Sequence, residues 1–195
     1  MKGYPSYASS ADYLKKVAEL LDALPDPSDR FVEALYAGFE QGRTVFLIWN
    51  GGSAANASHF GQDLAKGTLS SMSATRRFRV VPLTDNIGFI TALANDEGYD
   101  WIFEQQLSNL AASGDLLVAI SGSGNSPNVI RAAEYAHSIG MTVIGVTGFD
   151  GGKLKTLADV SVHIPVDDMG MTEALHGVVF HLAMCRLRER LAKAW

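Results

Sequence analysis

The chain has 195 residues, with 16 Lys and Arg against 21 Asp and Glu and a net charge of −5. Its composition, 47% hydrophobic and 19% charged, is that of a globular protein with enough apolar side chains for a core, at a length that suits one domain. The negative balance argues against a non-specific grip on nucleic acid, which needs clustered cations, and Arg76-Arg77-Phe78-Arg79 is the one basic cluster.

In chain order, residues 10–24 carry Leu14, Val17, Leu20, Leu21 and Leu24 at helical spacing, with Ser10 as the expected N-cap. Pro25 and Pro27 end that helix, and a second is expected from about Ser28, with Phe31, Leu35 and Phe39 on one face. Residues 1–42 thus read as a helical hairpin, part of the same unit as a main domain over 43–195.

From residue 44 short apolar runs take over, at 44–49, 78–83, 115–120, 142–147 and 160–166. They are almost continuously apolar, as parallel strands covered on both faces must be. The segments between them are long enough for crossover helices. The prediction is an α/β fold, a three-layer α/β/α sandwich around a parallel sheet of about five strands. A last helix is expected over 170–192. It holds the single cysteine, Cys185, in the apolar-rich run 181–187, where it reads as a buried structural thiol. One cysteine precludes an intrachain disulfide and fits a reducing, cytoplasmic setting. No stretch approaches the roughly 20 apolar residues of a membrane span, and no apolar signal segment opens the chain.

Ligands of such folds sit outside the carboxyl ends of the strands. The first strand is followed by Asn50-Gly51-Gly52-Ser53, whose glycines allow a tight turn and whose serine stands to cap the next helix. The third is followed by Ser121-Gly122-Ser123-Gly124-Asn125-Ser126-Pro127, with three hydroxyls and two glycines in six residues. Hydroxyls and helix-terminal N–H groups can hold a phosphate without Lys or Arg. Singly, each loop is equally an ordinary strand-to-helix turn; two on one sheet favour the phosphate. Neither contains the GK[ST] of a Walker A motif, and the first lacks GxGxxG, so a nucleotide is poorly supported.

These two loops, the run Thr147-Gly148-Phe149-Asp150-Gly151-Gly152 and the pair Asn95-Asp96 together resemble the SIS (sugar isomerase) domain family, phosphoheptose isomerase branch, over nearly the whole chain. The resemblance implies a flavodoxin-like sandwich and a homo-oligomer, usually a tetramer, with active sites between subunits. It implies aldose–ketose isomerisation of sedoheptulose 7-phosphate to D-glycero-D-manno-heptose 7-phosphate through an enediol, with Zn2+ bound. Ser53, Ser121, Ser123 and Ser126 would hold the phosphate, and Asn50, Gly51, Gly52, Asn95, Asp96 and Gly122 would line the pocket.

His59 and Asp63 stand at i, i+4 on the helix after the first loop, a spacing that suits zinc or a plain surface pair. Glu173, His176 and His181 punctuate the otherwise apolar last helix; a histidine there is more often a satisfied core residue. The resemblance places His59, Asp63, Glu173 and His181 on the metal-linked positions, with Asp63 also the base, His181 the acid, and Asp63 and Glu173 touching substrate. The family usually has His, Glu, Gln and His there, so Asp63 is one methylene shorter and Glu173 adds a charge. Trp49, Gly67, Gly122 and Gly170 also depart from the usual Gly, Arg, Thr and Asp. Glu173 and His181, eight residues apart, are separated by about 12 Å on a straight helix, so sharing one ion needs an irregular helix start or two subunits. Isomerisation needs one group to take a C–H proton and one to move protons at oxygen, and a metal, where bound, would polarise the carbonyl. The alternatives are an isomerase of another sugar phosphate, or a non-catalytic SIS-domain binding protein like the relative that binds the replication initiator, which Ser53-Ala54-Ala55-Asn56-Ala57 resembles. A sugar-phosphate sensor would need a DNA-binding segment, and no basic helix-turn-helix is visible.

Overall fold

The structure, a computed structural model, describes residues 5–51 and 53–192. Its strands are β1 (Thr44–Ile48), β2 (Arg79–Pro82), β3 (Leu116–Ser121), β4 (Thr142–Thr147) and β5 (Val160–His163). All neighbours pair in parallel, in the order β2-β1-β3-β4-β5. This is the flavodoxin-like doubly wound order, in which the winding reverses between β1 and β3 and opens a crevice at their carboxyl ends.

Alternation along each buried strand divides the interior in two. Val45, Leu47, Trp49, Val118, Ile120, Ile144 and Val146 face one core. Helices α1 (Ser10–Leu21), α2 (Pro25–Glu40), α3 (Ser53–Gln62) and α8 (Met169–Ala192) cover that side. Phe46, Ile48, Leu117, Ala119 and Val143 face the other core, beneath α4 (Ile87–Asp96), α5 (Glu104–Leu110), α6 (Pro127–Ser138) and α7 (Gly152–Leu157). Covering on both faces is why the strands read as continuous apolar runs. The N-terminal hairpin adds Leu20, Leu24, Phe31, Leu35 and Phe39 to the core that β1 and α8 share.

Local chemistry moves some expected boundaries. Ser9, not Ser10, caps α1: its Oγ accepts from the Asp12 N–H at 3.2 Å. The second helix begins at Pro25 rather than near Ser28, because proline lacks the N–H that a first helical residue leaves unpaired anyway. Cys185 is exposed, not buried; the inward positions around it on α8 are Ala183 and Leu187. The basic cluster is partly spent on its own chain: Arg76 donates to the carbonyls of Phe39 and Glu40, and Arg77 to those of Ala74 and Met72. Among the described residues no helix is long and apolar enough to cross a membrane.

Candidate active site

The β1–β3 crevice holds a cavity of about 150 Å³ lined by Trp49, Asn50, Ser121, Gly122, Ser123, Ser126, Met169 and Glu173. Ser126 occupies the N-cap position of α6, with Pro127 following, yet its hydroxyl makes no capping bond. It lies instead 3.2 Å from the Ser121 hydroxyl, so the two can address one oxygen-rich ligand at the positive end of a helix. Gly52 and the side chain of Ser53 lie outside the described residues. Gly51 is exposed and adopts φ +63, a turn conformation open to glycine.

The serine loop rests on the loop after β4. The Gly148 N–H donates to Gly122 O at 2.8 Å, Leu154 N–H to Gly124 O at 3.0 Å, and Lys153 N–H to Asn125 Oδ1 at 3.1 Å. Gly124 has φ +66, and a Cβ there would stand 1.9 Å from Gly151 O, so backbone meets backbone with no room for a side chain. The run Thr147–Gly152 therefore supports the crevice from behind. A Cβ on Gly122 would stand 2.6 Å from the Met169 sulfur. The first residue of α8 thus fills the space beside the serines, a contact with no signal in the sequence.

Farther along α8 a second constellation forms. His59 Nε2 lies 3.7 Å and His181 Nε2 3.6 Å from Asp63 Oδ2, and the two imidazoles are 5.2 Å apart in a T-shaped arrangement. All three donor atoms fall within 4.8 Å of one another. Phe60 stacks on Phe180 at 4.5 Å, which pins α3 to α8 and sets Asp63 opposite His181. At Asp63 the helix widens into a π turn, Asp63–Gly67, a local unwinding that often marks functional sites. The turn closes on α8 at Gly67, where a Cβ would come 3.3 Å from Met184 Cγ. Two imidazoles and a carboxylate are a donor set that fits a catalytic divalent metal, three protein ligands with a position left open.

Glu173 does not join that group. It sits inside the regular part of α8, two turns before His181, and lines the serine crevice instead. An irregular helix start is thereby removed as a way to bring the two to one ion. Asn95 and Asp96 end α4, exposed and bonded to each other, and do not line the crevice cavity. From the same segment Tyr99 touches a residue of the cavity wall, donating its hydroxyl to Asn50 Oδ1 at 3.1 Å. His176 is the core histidine that its apolar surroundings suggest: wholly buried, Nε2 3.1 Å from Thr147 O, its pKa pushed down to about 4 by burial. Trp49 packs edge-on against His176 and Phe180 and so belongs as much to the core as to the cavity wall.

The profile of the SIS domain matches residues 9–148. The phosphoheptose isomerase of Aliarcobacter butzleri is 35% identical over 171 residues, 88% of each chain. That of Mycobacterium tuberculosis is 39% identical over 162 residues, 83% of this chain and 79% of its own. Among solved structures, the phosphoheptose isomerase of Neisseria gonorrhoeae aligns with a TM-score of 0.84 at 31% identity, over 92% of this chain and 94% of that one. Likeness of this extent, over the N-terminal helices, the sheet and both loops together, shows that the chain belongs to the SIS-domain family.

Proposed function

We propose that the protein isomerises sedoheptulose 7-phosphate to D-glycero-D-manno-heptose 7-phosphate, as a cytoplasmic homo-oligomer, a tetramer, that carries zinc. The observation that carries this reading is the His59–Asp63–His181 group, whose His181 stands on α8, the helix that also borders a serine-lined crevice. Curated relatives over most of the chain bear the name phosphoheptose isomerase. A non-catalytic binding protein would have no use for such a group.

In this reading Ser121, Ser123 and Ser126, with Ser53, donate hydroxyl hydrogens to the phosphate oxygens, and the N-terminus of α6 faces the same charge. Asp63 takes a proton from C1 of the ketose. His181 gives a proton to the C2 oxygen, which yields the enediol. Asp63 then returns its proton to C2 while the O1 hydroxyl gives its own to the now neutral His181, and the aldose results with both residues restored. His59, Asp63 and His181 would hold the metal, the last two through the carboxylate oxygen and ring nitrogen that their proton steps leave free, and the metal would supply polarisation of the carbonyl. Glu173 lies too far along α8 to share that ion with His181 of its own chain, so it would complete the site of a second copy. Exposed Leu14, Leu21, Val178 and Leu182, on α1 and α8, offer apolar surface for such a contact.

Turnover of sedoheptulose 7-phosphate, followed by separating ketose from aldose phosphate, tests the reading together with metal analysis of the purified protein. Aldose formation and bound zinc are expected. A protein without zinc, unchanged when zinc is added and without turnover, would be a binding protein instead.

A further inference from the structure

Asn50 and Asn128 face each other across the crevice with their side-chain amides paired in both directions. Asn50 Nδ2 donates to Asn128 Oδ1 at 2.9 Å, and Asn128 Nδ2 donates to Asn50 Oδ1 at 2.8 Å. Tyr99 adds its hydroxyl to the same Asn50 oxygen. The three residues come from different places: the loop after β1, the first turn of α6, and a short turn after α4. Asn128 is 1% exposed, whereas Asn50 is half-buried and lines the cavity. Asn128 itself does not line it.

We infer that Asn128 is a positioning residue for phosphosugar binding: it locks the amide of Asn50 in place at the crevice, with Tyr99 closing the clamp. The inference rests on the crevice being the phosphosugar site. An asparagine on a glycine loop has free χ1 and χ2 rotation, and ordering such a side chain on binding costs affinity. A two-bond amide pair meets that cost during folding, because Asn128 is fixed by burial on a helix. An amide oxygen accepts two hydrogen bonds, and Asn128 and Tyr99 supply both. The pair also ties the two phosphate-side loops to each other, across the point where the sheet winding reverses.

The test is calorimetric binding of sedoheptulose 7-phosphate to the full-length protein, beside steady-state kinetics, for wild type, Asn128→Leu, Asn50→Ala and the double variant. Leucine keeps the volume and removes both bonds. Asn128→Leu is expected to weaken Kd and raise KM by about tenfold while kcat stays within about twofold. In the Asn50→Ala background the same change is expected to have no further effect, because the clamp has nothing left to hold. Tyr99→Phe is expected to give a smaller weakening of the same kind. An equal penalty with and without the Asn50 side chain would overturn the inference, since it would mark a general structural role. So would unchanged binding in Asn128→Leu. Binding is read separately from turnover: a wild type that binds without isomerising refutes the proposed reaction and leaves the clamp standing. A wild type that binds no sugar phosphate refutes both.

Discussion

At the residue scale, chemistry and legibility go together. The serines and Asp63 are readable because they sit in local patterns, a hydroxyl-rich loop after a strand and a His–carboxylate pair at i, i+4; singly each pattern also has an ordinary structural use, and only the set as a whole points to a site. Asn128 directly follows the serine motif, but its side chain pairs with another 78 positions away, and nothing local announces that. Asp63→Asn keeps shape and removes the proton acceptor; kcat is expected to fall by at least about 100-fold with KM little changed, and the bound metal to fall with it. Ser126→Ala takes one donor from a charged ligand, a loss of about 1.5–3 kcal/mol, so KM for the phosphorylated substrate is expected to rise by about tenfold or more. An unphosphorylated heptulose should not distinguish wild type from this variant.

Elements were legible where burial is uniform and obscure where two elements meet. Four of the five strands fall within a residue of the apolar runs, because a parallel strand covered on both faces has to be apolar throughout, whereas β5 at the sheet edge stops at His163, three residues before its run ends. The π turn at Asp63 has no sequence signature: it follows from fitting the end of α3 against α8 around Phe60, Phe180 and Gly67. The exposure of Cys185 was obscured likewise, since an apolar-rich segment does not say which side of a helix faces out. Phe180→Ala should cost about 3–5 kcal/mol by cavity formation. It should also lower metal affinity, because α3 and α8 then lose the stack that sets Asp63 against His181; denaturation midpoints and metal titration read the two effects separately. Gly124→Ala has no such graded outcome. Its Cβ would collide with the Gly151 carbonyl, so the loop must move and phosphate binding is expected to be lost.

For the whole molecule, stability has a direction with pH. Burial holds the His176 pKa at about 4, and burial first of all lowers that of His163, whose Nδ1 lies 3.0 Å from Thr147 Oγ1. The unfolded chain takes up the His176 proton near pH 6.5, the folded chain only near 4. The contribution of the neutral ring is therefore fully present above about pH 6.5 and is lost as pH falls toward 4, by at most about 3 kcal/mol. Urea midpoints should drop between pH 7.5 and pH 5, and His176→Gln should flatten that drop. At this scale the fold class followed from the order of runs and gaps. The central claim is that Asp63 and the crevice together carry out proton transfer on a ketose phosphate. Incubation with sedoheptulose 7-phosphate in D₂O tests it most directly. Deuterium should appear at C1 of the recovered ketose with wild type and be absent with Asp63→Asn and His181→Ala; a wild type that leaves C1 undeuterated and forms no aldose would contradict the account.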